Sequence, residues 1–220
     1  MEALIEVIKH HPLFQGIQTK ELSPMLSCLQ SYVKSYKKEE IIILTQNTVT
    51  SIGIILSGSI HMIKEDEHGH KTLLTIMKEN ELFGETFACG ALQHSKVTFK
   101  AASDCQILFL PFYKVLHTCN MTCVFHHRLI ENMVQLICKK NVQLMEKIEI
   151  TSKKTLREKI LCYLNIESQK QGTKTFQSPL GRVEMAEYLC ADRSALTREL
   201  NNMRKEGIIQ FEKNIFSLPR

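Results

Sequence analysis

The sequence predicts an α+β protein: an N-terminal unit of many short strands, one long helix, and a compact C-terminal helical unit closed by a hairpin. Three observations predict it. From about residue 32 to 112, short apolar or alternating stretches follow one another between turn signals. Residues 119–149 then carry helical periodicity with no Gly or Pro. The last third holds all of the excess positive charge. A chain of 220 residues has room for two modest cores of this kind.

Taken in order, residues 13–30 read as a short helix with Leu22, Leu26 and Leu29 on one face. The stretches 41–44, 52–56, 59–63, 72–76, 98–101 and 105–110 read as strands. Asp66-Glu67-His68-Gly69 sits between two of them as a hairpin turn, with Gly69 supplying the positive φ. Strands this short and this regularly spaced argue for a sandwich or barrel.

Across 119–149, Cys123, His127, Ile130, Val134, Ile137, Asn141, Leu144 and Ile148 alternate at spacings of four and three. That is a heptad seam, on a helix roughly 45 Å long at about 1.5 Å per residue. Packing on its own barrel would not require such length, whereas two copies side by side across a twofold axis would. A homodimer is expected, with Ile130, Val134, Ile137, Asn141, Leu144 and Ile148 at the interface. Asn141 would set the register, because a buried polar pair penalises slipped alignments. Thr151-Ser152 interrupts the seam and is expected to cap the next helix, from residue 153 to about 168, before a turn at 169–172. The domains are expected at 1–118, 119–150 and 151–220.

The C-terminal segment carries the most specific pattern. A short helix over 182–189 buries Met185, Ala186 and Leu189, and Cys190-Ala191 makes a tight turn. Asp192 then caps a second helix that ends at Gly207. On a wheel, Leu196, Leu200 and Met203 share the inner face. The outer face carries Ser194, Thr197, Arg198, Asn201 and Lys205, with Arg193 at its flank and Arg182 opening the preceding helix. Arg, Asn and hydroxyl side chains suit base edges and phosphates. Residues 208–211, the Lys213-Asn214 turn and 215–218 complete a wing. A winged helix-turn-helix bound to double-stranded DNA is expected.

Charge agrees. Residues 151–220 hold 13 Lys and Arg against 8 Asp and Glu, so the net +5 of the whole chain lies there and residues 1–150 balance to zero. The N-terminus lacks an apolar signal region and the longest apolar runs are too short to span a bilayer, so a cytoplasmic protein with no membrane partner is expected. Of the eight cysteines, none stand in C-x-x-C spacing. Reduced thiols buried as small core residues are expected, including the pair Cys119 and Cys123 one helical turn apart. No metal site is expected.

The ordered set of motifs resembles the Crp/Fnr family of bacterial regulators along essentially the whole chain. His11-Pro-Leu-Phe-Gln-Gly16 is similar to the family's opening helix, and Ile54-Ile-Leu-Ser-Gly58 and Leu82-Phe-Gly-Glu85 to its barrel signatures. Glu184-Met-Ala-Glu-Tyr-Leu189 and Arg193-Ser-Ala-Leu-Thr-Arg-Glu-Leu200 are similar to its two DNA-binding helices. The resemblance implies a cyclic-nucleotide-binding-type β-roll, cupin-like in form, then a dimerisation helix and a winged helix-turn-helix. It implies a transcription regulator acting on a palindromic operator, with RNA polymerase as a further partner if it activates. It also implies an effector pocket at Gly84, Glu85, Ser95, Lys96, Leu144 and Met145.

Departures from the family pattern narrow the effector. Where cyclic-nucleotide members carry an Arg-Ser pair for the phosphate, this chain has Ser95-Lys96. Where they carry a Thr-Ser pair for the adenine, it has Leu144-Met145. Cyclic AMP is not expected, and a small apolar or aromatic molecule is. Only Cys28 precedes residue 89, so the family's N-terminal iron–sulfur cluster is not expected, nor is any other cofactor. Ser194 replaces a common Glu, Cys190 a common turn glycine, and Glu199 a common apolar residue, so an operator of altered sequence is expected. The alternatives are a cupin-type enzyme, which would need clustered His and Glu ligands that are not found here, and a cyclic-nucleotide regulatory module without DNA binding, which leaves the basic winged helix unexplained.

Overall fold

The computed structural model describes residues 2–90, 93–116 and 124–218, in two compact units, Met1–Leu136 and Ile137–Arg220. Cys119, Cys123 and the start of the expected long helix lie outside the described residues.

The first unit opens with α1 (Glu2–Ile8), a 3₁₀ turn at Pro12–Phe14 and α2 (Thr19–Cys28). The expected helix over 13–30 is thus two pieces, because Gly16 adopts φ +77° between them. Then come β1 (Tyr32–Tyr36), β2 (Ile41–Ile43), β3 (Ser51–Ser57), β4 (Ile60–Glu65), β5 (Lys71–Met77) and β6 (Leu82–Phe83). The short α3 (Glu85–Ala88), β7 (Thr98–Ala101), β8 (Cys105–Pro111) and α4 (Phe112–Leu116) complete the set. The strands form two antiparallel four-stranded sheets, ordered β1-β8-β3-β6 and β2-β7-β4-β5.

Strand register explains why β3 is buried on both faces. Gly53, opposite Phe109, and Ile55, opposite Ile107, face the core between the sheets. Ile52 and Ile54, opposite Leu110 and Leu108, face the other side and are also fully buried, on the side where α4 packs. Gly53 is required where it stands: a Cβ there would come within 2.3 Å of the Phe83 ring. The β4–β5 hairpin turns as expected, with Gly69 at φ +81° and the Asp66 carboxylate accepting from the His68 and His70 N–H groups at 2.9 Å. His68 and His70 are exposed.

The helix α5 (Val124–Thr151) runs 28 residues, about 42 Å at 1.5 Å per residue, and belongs in part to each unit. In the first unit its buried face carries His126, Leu129, Asn132 and Met133. The Asn132 side chain donates to the Leu13 and Gln15 carbonyls at 2.9 and 2.8 Å, tying α5 to the N-terminal turn.

The second unit contains α6 (Leu156–Gln171), β9 (Thr175–Gln177), α7 (Arg182–Tyr188), α8 (Arg193–Lys205), β10 (Gln210–Glu212) and β11 (Ile215–Ser217). The expected cap at Thr151-Ser152 is corrected. Thr151 is the last residue of α5, and the cap of α6 is Thr155. Thr155 and Glu158 make a reciprocal capping box, with bonds of 3.2 and 3.0 Å, which Ser152 cannot make because Thr155 is its partner three residues on. The expected turn at 169–172 is helical through Gln171 and stops at Gly172, at φ +66°. Ile150 joins Ile160, Leu164, Met185, Leu196, Leu200, Met203 and Phe216 in one core, so the last turn of α5 is part of this unit.

The cysteines also depart from expectation. Cys105 is buried, Cys28 and Cys162 are half-buried, and Cys89, Cys138 and Cys190 are exposed. A free cysteine tolerates burial but does not require it, and composition alone cannot place it.

Candidate nucleic-acid interface

The helix pair α7–α8 is fixed by its termini and by one apolar stripe. The Glu184 carboxylate accepts from the Gly181 N–H at 2.8 Å and so closes the start of α7. Met185, Ala186 and Leu189 are buried as expected. Cys190 makes the turn at φ +51°, the left-handed region that a glycine enters at less cost. Ala191 N–H returns to the Ala186 carbonyl at 2.9 Å. Asp192 then caps α8, its Oδ1 accepting from the Ser194 and Ala195 N–H groups at 2.8 and 3.0 Å.

Leu196, Leu200 and Met203 anchor α8. Full burial of each such side chain stabilises by about 1.5–3 kcal/mol. The helix ends in a Schellman motif, with Gly207 N–H bonded to Arg204 O at 3.1 Å and Ile208 N–H to Met203 O at 2.9 Å. With one face so held, the other is presented outward. Arg193, Ser194, Thr197, Arg198 and Lys205 are exposed, and Asn201 is half-buried. Asp192, Arg193, Ser194, Thr197, Arg198 and Asn201 line one open concave surface, which Lys205 does not join.

Arg182 stands elsewhere. Its guanidinium lies 4.7 and 5.0 Å from the Phe211 and Phe216 ring centroids and donates to the Lys213 carbonyl at 2.9 Å. Burial pushes its pKa down. It braces the wing, in which Phe211 pairs with Phe216 across β10–β11 and Phe216 with Phe176 across β11–β9.

Sequence reasoning missed Arg157. Its Nε donates to Glu199 at 2.6 Å, and Nη1 and Nη2 donate to the two Glu206 oxygens at 2.7 and 2.8 Å. Glu206 and then Glu199 raise the guanidinium pKa. This fork explains a carboxylate at position 199, where an apolar residue is usual: it holds α8 to α6. The end of α5 is tied in as well. Lys147 lies 4.0 Å from the Tyr188 ring centroid and hydrogen-bonds the Tyr188 carbonyl, while Lys170 bridges Glu146 at 2.6 Å and Glu167 at 3.3 Å.

On α5, Ile130 is half-buried and Val134 exposed in the first unit, and in the second Ile137 is half-buried and Asn141, Leu144 and Ile148 are exposed, so much of the seam is open in each. The residues expected at an effector pocket divide between the units. Gly84, at φ +79°, starts α3, and Glu85 beside it is buried. Ser95 is fully buried, its hydroxyl donating to Val97 O at 2.6 Å and accepting from Val97 N–H at 3.3 Å. Lys96 is exposed, and its carbonyl accepts from Lys64 Nζ at 3.0 Å. Leu144 and Met145 are exposed on the α5 segment of the second unit. Among the described residues, no group of three or more His, Cys, Asp or Glu is placed to hold a metal ion, and no helix is long and apolar enough to cross a membrane.

Comparison with known proteins agrees with this architecture. Residues 33–120 match the cyclic nucleotide-binding domain, and residues 145–218 match the Crp-like helix-turn-helix domain. The chain is similar to the transcriptional activator protein FnrL of Cereibacter sphaeroides, with 20% identity over 225 residues, 93% of this chain and 82% of that one. In fold it is similar to OCPA-complexed CprK (TM-score 0.65, 16% identity, 90% of this chain and 91% of that one). It is also similar to DNR from Pseudomonas aeruginosa (TM-score 0.53, 14% identity, 100% of this chain and 95% of that one).

Proposed function

Because this chain belongs to the Crp/Fnr family of bacterial transcription regulators, we propose that it binds a palindromic operator as a homodimer, each copy laying the N-terminal half of α8 in the major groove. The observation that carries this reading is the outer face of α8. An apolar face anchored by Leu196, Leu200 and Met203 leaves Arg193, Ser194, Thr197, Arg198 and Asn201 together on one open surface at the helix start. The N-terminal residues of a recognition helix are those that reach base edges. Residues 151–220 are the DNA-binding domain, 119–150 the dimerisation helix and 1–118 the sensor.

The open stripe on α5 supports the homodimer: Val134, Leu144 and Ile148 are each more than half exposed in the single chain. Exposed apolar side chains in heptad register are satisfied by a second copy. The sensor answers to a small effector other than cyclic AMP. The Ser95 hydroxyl is spent on Val97, and no Arg occupies the Ser95-Lys96 pair to fork onto a phosphate. If the protein activates, RNA polymerase is its further partner.

Binding-site selection with the purified chain tests the DNA reading. A palindromic consensus is expected, with affinity falling steeply as salt rises, by about 0.9 log units per phosphate contact per log unit of salt. Equal binding to all duplexes would sink it. Calorimetry with cyclic AMP is expected to show no micromolar binding, and such binding would overturn the effector assignment.

A further inference from the structure

Asp192 does more than cap α8. Its Oδ1 also accepts the Ser194 hydroxyl proton, at 2.5 Å, beside the two backbone N–H groups it caps. A serine hydroxyl has one proton and two lone pairs. With the proton committed to a carboxylate, only acceptor capacity is left to face outward. Ser194 is exposed, in the first turn of α8, on the same open surface as Arg193 and Arg198.

In the major groove only two base groups donate, the cytosine N4 amine and the adenine N6 amine. Guanine and thymine present acceptors at the corresponding positions. We propose that Ser194 reads DNA as an obligate acceptor, its proton held by Asp192, so that each half-site carries an amino base, cytosine or adenine, at the position Ser194 faces. This rests on the reading of α8 as a recognition helix and assigns a base class to one of its residues. Asp192 is a positioning residue: it touches no base and acts through Ser194.

Three further observations support the assignment. The Asp192 carboxyl is held below the usual carboxylate range, chiefly by the Ser194 hydroxyl, so it is ionised at neutral pH. Turning the hydroxyl to donate to a keto base would break a charge-assisted bond, roughly twice as strong as a neutral one. The neighbouring Arg193 and Arg198 carry donors only, so neither can select an amino base. Thr197 is a second acceptor-only hydroxyl on this surface, its proton donated to the Arg193 carbonyl at 2.9 Å, so the position read by Ser194 is the one whose preference Ser194→Ala abolishes.

Binding-site selection on the full chain tests this with wild type, Ser194→Ala and Asp192→Gly. Glycine is tolerated at a helix cap nearly as well as aspartate, so it removes the acceptor and spares the helix. Wild type should select cytosine or adenine at the position that Ser194 faces in each half-site. Ser194→Ala should lose that selection, by roughly fivefold per half-site. Asp192→Gly should admit keto bases at that same position and leave the guanines read by arginine unchanged. A consensus identical in wild type and Ser194→Ala overturns the proposal, as does an undiminished amino preference in Asp192→Gly. Ser194→Ala decides alone if Asp192→Gly does not fold. Wild-type protein with no sequence preference would instead overturn the recognition-helix reading.

Discussion

Arg157, in the first turn of α6, grips Glu206, the residue that ends α8, through two parallel hydrogen bonds of 2.7 and 2.8 Å. The same guanidinium reaches Glu199 in the middle of α8 at 2.6 Å. Two carboxylates on one helix are thereby held by one planar fork from another, a geometry that lysine cannot reproduce.

Arg157→Lys and Arg157→Ala should therefore weaken operator binding several-fold with little loss of thermal stability, because the pair is solvent-exposed. The pH dependence has a definite sign. Arg157 lowers the Glu206 pKa from 4.5 in the folded protein. The resulting stabilisation is present above pH 4.5 and is lost as pH falls through the folded value. Denaturant midpoints of wild type and Arg157→Ala should differ slightly at pH 7 and converge once the medium is acid enough to protonate Glu206 in the folded protein. A constant difference between them would show that the pair does not contribute.

His11 provides a second pH-dependent element. It is 2% exposed, its Nδ1 accepts from the Leu13 N–H at 3.1 Å, and its Nε2 lies 3.0 Å from the Asn80 carbonyl. That pattern fits only the neutral ring with the proton on Nε2. Burial lowers its pKa from 6.5, and burial lowers that of His126 in the same unit. The unfolded chain therefore takes up protons first, so stability is full above pH 6.5 and declines as pH falls toward the folded values. His11→Ala should cost about 1–3 kcal/mol at pH 7.5, by orphaning the buried Leu13 N–H, and should flatten the decline below pH 6.5. Urea midpoints across that range measure both, and an equally steep decline in the variant would refute the assignment.

The dimer seam is tested by charge. Ile137 is half-buried and Leu144 largely exposed on α5, seven residues apart and on one stripe. Facing copies would bring each pair together, and a glutamate at both positions places like charges in an apolar seam. Ile137→Glu with Leu144→Glu should sediment as a folded monomer at concentrations where wild type is a dimer. A double variant that still sediments as a dimer removes the seam from the interface.

The helix faces are legible in the sequence because burial follows a fixed period. Leu196, Leu200 and Met203 can be placed inside, and Asp192 and Gly207 at the ends, without knowing any neighbour. Tertiary pairings are not legible. Arg157 and Glu199 are 42 residues apart, and nothing local marks either as half of a pair. Arg182 reads as a surface cation because its partners, Phe211 and Phe216, reach it only once the wing has folded back. Thr151-Ser152 draws the cap assignment because it ends the heptad seam, whereas the T-x-x-E spacing that marks Thr155 lies just beyond it. The exposed cysteines escape for a different reason: a residue that is small and weakly polar carries no period of its own.

Arg198 and Lys205 both lie on the outer face of α8, so exposure does not distinguish them. Depth along the axis does. The seven steps from one to the other span about 10 Å at 1.5 Å per residue, nearly two turns. With the N-terminal half of α8 in the groove, as proposed, Arg198 would reach the base edges and Lys205 would lie out by the backbone. Arg198 also shares the concave surface with Arg193 and Ser194, whereas Lys205 does not. A guanidinium that makes a bidentate guanine contact contributes about 1–3 kcal/mol of discrimination, and a dimer makes the contact twice. Arg198→Ala should therefore relax the preference at one base pair of each half-site and weaken binding by both terms. Lys205→Ala should weaken all sequences nearly equally and reduce the salt slope by about one for each phosphate it no longer neutralises. Binding-site selection and anisotropy titrations at several salt concentrations separate the two outcomes. An Arg198→Ala protein that keeps the full consensus and merely binds more weakly would mean that Arg198 touches phosphate, and that α8 does not enter the groove by its N-terminal half.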